Sequence, residues 1–356
     1  MQLSINSKVA SPCKCRVEHS IIGGVKNIKI SYSRVQSYLR CPYQHYLRYY
    51  EHLRLNRPVK PLYFGSDFHK LLELRGDKKA LEQAKKDITD KYYEIPAQWQ
   101  GDLGEDYVEN LFNIFSDYTK VYEGAPLPQK TEEPFEIPIG KYKGEPVEFI
   151  GVIDELYLRK KNGKKYIKIG EHKTFSRKPN ADTLIMNTQK CLYAKATQIT
   201  RGILPQAVIW DYISSKPASS PIWLEKSQRF STSAKNSYIT PYSWVRACKE
   251  RGILDEQILQ EGEKFRGNIP NFYFRREMEL IPAMVEQVWE DFIYTCKGIV
   301  KEGHKNTTKN FTKDCAFCNY RDICYTQCTG GDLNYLIDKN YTRKEYKEEA
   351  SDKIET

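Results

Sequence analysis

The sequence predicts an α/β protein on the basis of three observations. The chain before residue 125 has mostly helical periodicity, and helical patterns return at 181–200 and 278–300. Between them, two runs rich in β-branched and aromatic residues flank Asn162-Gly163. Four cysteines crowd residues 315–328. We therefore expect a core that contains strands, helical regions around it, and a short segment organised by cysteine chemistry.

The composition is that of a globular protein with a basic surface. Of the 356 residues, 40% are hydrophobic, which is enough for a sizeable core, and no run resembles a transmembrane helix. The first residues lack the apolar stretch of a secretory signal, so we expect a cytoplasmic protein. The formal net charge of +10 suits a polyanionic partner such as DNA or RNA. Ten cysteines favour metal or redox chemistry over a disulfide framework.

The chain divides into five predicted segments. Residues 1–27 form a loose leader, 28–125 a helical region, and 126–300 the core with a helical extension. Residues 301–335 hold the clustered cysteines. The Lys/Glu-rich tail 336–356 has little to bury, so we expect it to be disordered.

Local signals predict where several elements begin. Ser33 and Gln36 match a capping box and place the start of the first helix. A second helix is expected to start near Ser66 or Asp67. A proline-rich loop over residues 126–138 is expected to lead into the strands.

The informative segment is the hairpin pattern centred on Asn162-Gly163, a dipeptide that favours a two-residue turn because both positions need positive φ. Such a turn fixes the register, because residues equally far from it face each other. Asp154 then faces Glu171. The same register gives two apolar pairs, Leu158 with Ile167 and Leu156 with Ile169.

This register places two carboxylates about 5 Å apart at Cβ on one face of a sheet. Lys173 lies on the same face, two residues beyond Glu171. Directly opposed like charges destabilise a hairpin, and a divalent cation with oxygen ligands would relieve the repulsion. Spacing alone leaves open a solvated hairpin in which Asp154 and Glu171 are incidental acids.

The order of motifs along the chain resembles that of a known nuclease superfamily. Gly151–Asp154 followed by Glu171–Thr174 resembles motifs II and III of the PD-(D/E)XK nucleases. Phe64–His69 and Gln189–Tyr193 match the histidine and Gln-x-x-x-Tyr motifs of the RecB-type branch, which includes the RecB and AddB nuclease domains and the CRISPR-associated RecB-like exonucleases. That branch more often has Asp where this chain has Glu171. The resemblance implies a restriction-endonuclease-like fold with a central mixed sheet flanked by helices, and makes residues 126–300 the nuclease core.

The resemblance also implies a metal site. Asp154, Glu171 and the backbone carbonyl of His172 would hold Mg²⁺ or Mn²⁺, and the ion would activate water and neutralise charge on the scissile phosphate. His69 is a further candidate ligand, which favours Mn²⁺ because imidazole suits softer ions than Mg²⁺. The alternative for His69 is a histidine that packs against an aromatic neighbour at the start of its helix.

Three further residues receive roles from the same resemblance. Lys173 would position the attacking water or stabilise the pentavalent phosphate. Gln189 and Tyr193, four residues apart on one helical face, would orient Lys173 or the DNA backbone. The alternative for this pair is an ordinary amphipathic helix. The expected catalytic set is therefore Asp154, Glu171, Lys173, Gln189 and Tyr193.

The terminal cysteines resemble those of RecB-like enzymes that carry a four-iron, four-sulfur cluster. Cys315, Cys318 and Cys324 match the C-terminal pattern, and Cys41, followed by proline, matches the distant fourth ligand. The cluster would join the two ends of the nuclease domain. One alternative is a local site in which Cys328 replaces Cys41, and such a site would suit Zn²⁺.

These features predict a metal-dependent DNA exonuclease that acts on single-stranded ends in recombination, repair, phage DNA metabolism or CRISPR adaptation, with partner proteins of those processes. No Gly-x-x-x-x-Gly-Lys-Ser/Thr loop occurs, so a complete helicase–nuclease is not expected. Two alternatives remain. One is a non-catalytic DNA-binding or assembly subunit on the same fold, and the other is a zinc-stabilised RNA-binding protein that uses some of the 26 tyrosines.

Overall fold

A computed structural model describes residues 28–161, 164–180, 184–231 and 238–344. The predicted leader over residues 1–27, the turn at Asn162-Gly163 and residues 345–356 of the predicted tail lie outside this described part.

The centre of the molecule is a six-stranded mixed sheet. The strands of the described chain are β1 Ile28–Ser31, β2 Leu53–Leu55, β3 Lys130–Tyr142, β4 Glu145–Lys161, β5 Lys164–Phe175, β6 Ala207–Ser214, β7 Trp223–Leu224, β8 Arg229–Phe230, β9 Tyr273–Glu279 and β10 Tyr341–Arg343. The strand order in the central sheet is β1-β4-β5-β6-β9, and β3 pairs with β4 outside this path. The β1–β4 and β5–β6 pairs are parallel, and the other pairs in this sheet are antiparallel.

Helices cover both faces of this sheet, which confirms the predicted α/β class with a central mixed sheet. The helical patterns predicted at 181–200 and 278–300 contain the helices Gln189–Arg201 and Pro282–Glu302, both of which begin later than predicted. Residues 278–279 belong to a strand, and residues 181–183 lie outside the described part of the chain. The helices are α1 Tyr32–Arg40, α2 Pro42–Tyr49, α3 Lys60–Glu73, α4 Lys78–Tyr93, α5 Ala97–Leu103, α6 Tyr107–Val121, α7 Gln189–Arg201, α8 Pro241–Glu250, α9 Glu256–Gln260, α10 Pro282–Glu302, α11 Arg321–Thr329 and α12 Leu333–Asn340, with 3₁₀ segments at Glu261–Asn271 and Lys313–Phe317.

Alternate residues of β6 show why both faces are covered. Trp210 and Tyr212 pack into a core shared by the sheet with α7 and α10, and Ile213 packs into a second core built by α3 to α6. Because successive side chains of a strand point to opposite faces, one strand serves both cores. A third, smaller core joins Leu53 of β2 to Tyr320 and Ile323 near the C-terminus.

The β4–β5 hairpin has the register predicted from Asn162-Gly163. Leu158 pairs with Ile167, and Leu156 pairs with Ile169. The paired residues end at Glu155 and Gly170, one position before the two carboxylates of interest. Gly170 leaves room for Glu155, since a Cβ at position 170 would lie 2.8 Å from Glu155 Oε2 and that side chain would have to shift.

Two helices begin earlier than predicted. Helix α1 begins at Tyr32, and the Ser31 hydroxyl accepts from the Arg34 N–H, so the cap is Ser31 and the capping box at Ser33 was wrong. Helix α3 begins at Lys60, not near Ser66, because Pro61 in the first turn has no N–H to leave unpaired there.

The expected proline-rich loop is in part a strand. Pro134 and Pro138 lie within β3, which pairs only with β4 in the described part of the chain. An edge strand tolerates proline because the backbone groups on its outer side form no hydrogen bonds with a neighbouring strand. The pairing register with β4 also shifts between Pro138 and Gly140.

The predicted disorder from residue 336 was wrong for residues 336–344. Helix α12 continues to Asn340, and β10 pairs antiparallel with β2. Tyr341 is buried in the third core and Leu336 and Ile337 pack against it, so three apolar or aromatic side chains anchor a segment that is otherwise polar. Among the described helices, none is both long enough and apolar enough to cross a membrane.

Candidate active site and cysteine pocket

Adjacent strands bring the two predicted carboxylates together. Asp154 on β4 and Glu171 on β5 are 6% and 1% exposed, so both are buried. The Asp154 Oδ2 atom accepts a 2.9 Å hydrogen bond from the backbone N–H of His172. This bond ties the acid of one strand to the residue that follows the acid of the other. The sequence-derived juxtaposition of acids is therefore present at the end of the hairpin ladder.

Glu171 has one satisfied and one unsatisfied oxygen. Its Oε2 accepts from Lys173 Nζ at 3.4 Å and from Gln189 Nε2 at 3.2 Å. Its Oε1 is buried and has no hydrogen-bond partner among the described residues. Burial, and next the Asp154 carboxylate, raise the pKa of Glu171, while Lys173 opposes the rise. A bound cation would stabilise this buried oxygen, which lacks a hydrogen-bond donor and belongs to an acid beside the Asp154 carboxylate.

His69 reaches the same acids from helix α3. Its Nδ1 lies 3.6 Å from Asp154 Oδ1, and its ring lies edge-on to the ring of His172 with centroids 5.7 Å apart. One ligand atom each of His69, Asp154 and Glu132 lies within 4.8 Å of the other two, whereas Glu171 is not part of this group. The structure thus brings together the predicted His69 and Asp154, and adds Glu132.

Glu132 was missed from the sequence. It lies on β3 between the pairs Thr131–Glu155 and Glu133–Ile153, and is therefore opposite Asp154. Its position depends on how β3 pairs with β4, and the prolines of β3 indicated a loop instead. Glu132 could have been found only by predicting that the proline-containing segment is an edge strand paired with β4.

Gln189 and Tyr193 lie on α7 directly beside the acids. Gln189 was expected to orient Lys173 or the DNA backbone, and its side chain contacts Glu171 at the same oxygen as Lys173 does. Tyr193, one turn later, is buried and forms a hydrogen bond with Gln189. Its ring packs edge-to-face against the ring of Phe135. Burial, and next Glu171, raise the pKa of Tyr193 well above its usual value, so the phenol stays protonated.

The side chain of His172 enters a buried ion network on the opposite face of β5. Its Nε2 lies 3.1 Å from Glu155 Oε1 and its Nδ1 lies 3.4 Å from Asp211 Oδ2. Arg75 pairs with Glu155 at 2.7 Å, and Arg275 pairs with Asp211 at 2.8 Å. Burial alone would lower the pKa of His172, but the two carboxylates outweigh it and raise the pKa to about 10.

Five cysteines line one pocket of about 250 Å³. Cys41 comes from the junction of α1 and α2, and the others come from the C-terminal segment, so the structure brings the two distant parts together. The others are Cys315, Cys318, Cys324 and Cys328. Cys328 is exposed, whereas the remaining four are half-buried.

Direct contacts, independent of any bound group, close this pocket. The Tyr43 N–H donates to the Thr308 carbonyl at 3.0 Å, and the Tyr320 hydroxyl donates to the Leu53 carbonyl at 2.8 Å. The backbone N–H of Tyr320 also points at the Cys318 sulfur, 3.4 Å away. Burial raises the pKa of the Cys318 thiol, and the nearby Cys41 and Cys315 thiols add to the rise.

Fold and site together define a class, an α/β protein whose buried carboxylates suit a divalent cation. The family model of the PD-(D/E)XK nuclease superfamily matches residues 29–325, and the chain belongs to that superfamily. It is therefore classed with nucleases that use divalent metal ions. No curated protein gives a significant match to the sequence.

Two solved structures are similar to the chain at low identity. One is SSO0001, with 12% identity, a TM-score of 0.34, and coverage of 85% of this chain and 89% of that chain. The other is a "Putative exonuclease" from Eubacterium rectale, with 11% identity, a TM-score of 0.41, and coverage of 90% of this chain and 94% of that chain.

Proposed function

We propose that the chain is a metal-dependent DNA exonuclease of the RecB/AddB-like branch that acts on single-stranded ends. The observation that carries the proposal is the buried pair Asp154 and Glu171, with Lys173 beside it and one Glu171 oxygen without a partner. The order of the branch motifs supports the same assignment. Recombination, repair, phage DNA metabolism and CRISPR adaptation are the processes in which such an activity would serve, together with their partner proteins.

The donor set fits a hard divalent cation with one softer ligand. His69, Asp154, Glu171 and the backbone carbonyl of His172 would hold Mg²⁺ or Mn²⁺, and the imidazole favours Mn²⁺. When bound, the ion lowers the pKa of a coordinated water and offsets charge on the phosphate.

In this scheme, we assign to Lys173 the role of stabilising negative charge on the scissile phosphate. Its ammonium group neutralises Glu171 from the solvent side, and its side chain keeps 27% exposure, so a phosphate can approach it. In the transition state the Lys173 ammonium group would stabilise the negative charge on the phosphate oxygens. Gln189 holds Glu171 from the protein side, and we assign it and Tyr193 to positioning this acid.

We further propose that Cys41, Cys315, Cys318 and Cys324 hold a four-iron, four-sulfur cluster. These four cysteines line one pocket although they come from distant parts of the chain. Cys41 is followed by Pro42, as in the branch enzymes that carry such a cluster. A local four-cysteine site with Cys328 in place of Cys41 would suit Zn²⁺ instead. The exposed Cys328 is the weaker candidate for the fourth ligand.

We propose that residues 126–300 form the nuclease core with its extension, that residues 28–125 supply His69 and Cys41, and that residues 301–335 supply the other three cluster cysteines. The strand Ile28–Ser31 also belongs to the central sheet, so the core begins earlier in the chain than its predicted boundary.

The decisive experiment incubates end-labelled single- and double-stranded DNA with the protein and Mg²⁺ or Mn²⁺. Wild-type protein is expected to shorten single-stranded DNA from an end, and Asp154→Asn and Glu171→Gln to lose at least about a thousandfold in rate while still binding DNA. An inactive wild type that still binds DNA would favour the non-catalytic subunit instead. Full activity in either variant would contradict the assigned site.

A further inference from the structure

Glu132 is a third carboxylate at the acid pair. It stands opposite Asp154 on the neighbouring strand, and one of its oxygens lies within 4.8 Å of ligand atoms of both Asp154 and His69. Its backbone has a φ of +50°, in the left-handed region, which interrupts the regular alternation of β3. The preceding residue and the next one both keep their ladder partners, so the break is confined to this position.

We propose that Glu132 is a direct ligand of the divalent cation, together with His69 and Asp154. The inference rests on the proposed function and extends its ligand set by one residue. The additional ligand, Glu132, lies on β3, the strand that precedes the β4–β5 hairpin.

The two oxygens of Asp154 show where this ion would lie. Oδ2 accepts the backbone N–H of His172, whereas Oδ1 faces His69 Nδ1. The ligand atoms of His69, Glu132 and Asp154 are mutually close enough to share one ion. Carboxylate oxygens with a single imidazole form a donor set that suits Mn²⁺.

A second, independent observation points to a cation at the same acids. Glu171 is 1% exposed, and its Oε1 has no hydrogen-bond partner among the described residues. Glu171 is thus a further acid beside Asp154, and Lys173 and the imidazole of His69 lie within ion-pair distance of these two acids. A buried carboxylate oxygen without a donor is costly, and a bound cation offsets that cost.

The adjacent Glu133 provides a matched control. It is on the same strand and carries the same charge, but its carboxylate pairs with Arg201 and with Lys130, the latter at 2.8 Å. Glu133→Gln therefore removes one negative charge at nearly the same place without removing a predicted ligand. Any effect of Glu132→Gln beyond that of Glu133→Gln reports on ligation rather than on net charge.

The test measures Mn²⁺ binding by the EPR signal of the free ion, using the EDTA-treated and desalted full-length protein without DNA. We expect Glu132→Gln to weaken Mn²⁺ binding by at least about tenfold, and Glu133→Gln to leave it unchanged. Metal-free Glu132→Gln should melt at or above the wild-type temperature, because one repelling acid is gone, and should gain less on addition of Mn²⁺.

Spectra of bound Co²⁺ give a second readout, since its visible absorption reports the ligand set. The spectrum should change in Glu132→Gln and not in Glu133→Gln. Wild-type affinity and spectrum in Glu132→Gln would overturn the inference, provided that Asp154→Asn abolishes binding as expected. If Asp154→Asn also binds Mn²⁺ normally, the proposed function itself fails, so the two failures are distinguishable.

Discussion

At Glu171, one carboxylate oxygen receives two donors while the other is buried without a described partner. The two donors come from different directions, Lys173 from its own strand and Gln189 from α7. This asymmetry fixes the side chain and leaves one oxygen for a ligand. Lys173 is the more exposed donor, and we therefore expect it to be the one that also meets the substrate.

Lys173→Ala should lower kcat by about 100- to 1,000-fold with little change in the Kd for DNA. The physical reason is the loss of a charge that acts mainly in the transition state. Single-turnover cleavage and a DNA-binding titration measure the two quantities. Lys168→Ala is the control on the same strand, because Lys168 pairs with the surface acid Glu277. A variant that keeps its rate and loses affinity would make Lys173 a binding residue only.

His45 makes stability depend on pH. Its side chain is fully buried, and burial, followed by the charge of Arg34, lowers its pKa to about 3. The folded state therefore keeps His45 neutral, whereas the unfolded chain binds a proton below about pH 6.5. Stability is fully present above the unfolded pKa and falls as the pH drops toward the folded one.

Between pH 7.5 and 5.0, His45 alone should cost about 2 kcal/mol of unfolding free energy. Urea unfolding of wild type and His45→Gln at both pH values isolates this contribution, because acidic groups common to both proteins cancel. The wild type should lose about 2 kcal/mol more than the variant does. Equal losses in the two proteins would show that His45 is protonated in the folded state.

At the scale of elements, the β4–β5 hairpin was predictable and its neighbours were not. The Asn162-Gly163 pattern predicted the pairing of Leu156 with Ile169, which the structure has, because a two-residue turn would allow only one register. Glu132 could not be found in this way, since the register of β3 is set by pairing across a segment that contains prolines. Local patterns specify local contacts, while an edge strand takes its position from the sheet that it joins.

The ion network shows the same limit on prediction. His172 was expected to contribute only its backbone carbonyl, and its side chain turned out to be buried between Glu155 and Asp211. Asp211 lies on β6, which pairs in parallel with β5 and is reached only after α7. Parallel pairing across an intervening helix has no local signal, so these partners could be assigned only from the structure.

His172→Leu should lower the free energy of unfolding by about 3–5 kcal/mol. The substitution leaves two buried carboxylates with one fewer cation, and breaking a buried ion pair costs far more than breaking an exposed one. Chemical denaturation measures the change, and Lys168→Ala, which removes a partly exposed pair, should cost less than about 1 kcal/mol. Similar losses in the two variants would mean that the network contributes little to stability.

At the scale of the whole molecule, residues 41–55 and 318–341 meet in one small core. Strands β2 and β10 pair, and Gln327 donates to the Tyr43 hydroxyl at 2.6 Å. Cys41 faces the C-terminal cysteines across the pocket that these contacts build. A cluster bound by Cys41 and the C-terminal cysteines would cross-link residues that are far apart in sequence. Such a cross-link stabilises the folded state by lowering the conformational entropy of the unfolded chain, and the effect grows with the length of the closed loop.

Cys41→Ser should abolish the brown colour of anaerobically purified protein and lower its stability by up to about 4 kcal/mol. Cys328→Ser is the control, and it should keep both colour and melting temperature. Absorbance and iron analysis, with thermal unfolding on the same samples, distinguish the two. Colour that survives without Cys41 and disappears without Cys328 would show a local metal site.

The most direct test of the central claim is the anomalous scattering of Mn²⁺ in a crystal of the protein soaked with that ion. The claim is that Asp154 and Glu171 form the metal centre of a nuclease. The expected result is an anomalous peak within bonding distance of Asp154 and Glu171, and none there in Asp154→Asn crystals. Strong peaks elsewhere on the protein, with none at these two acids, would contradict it.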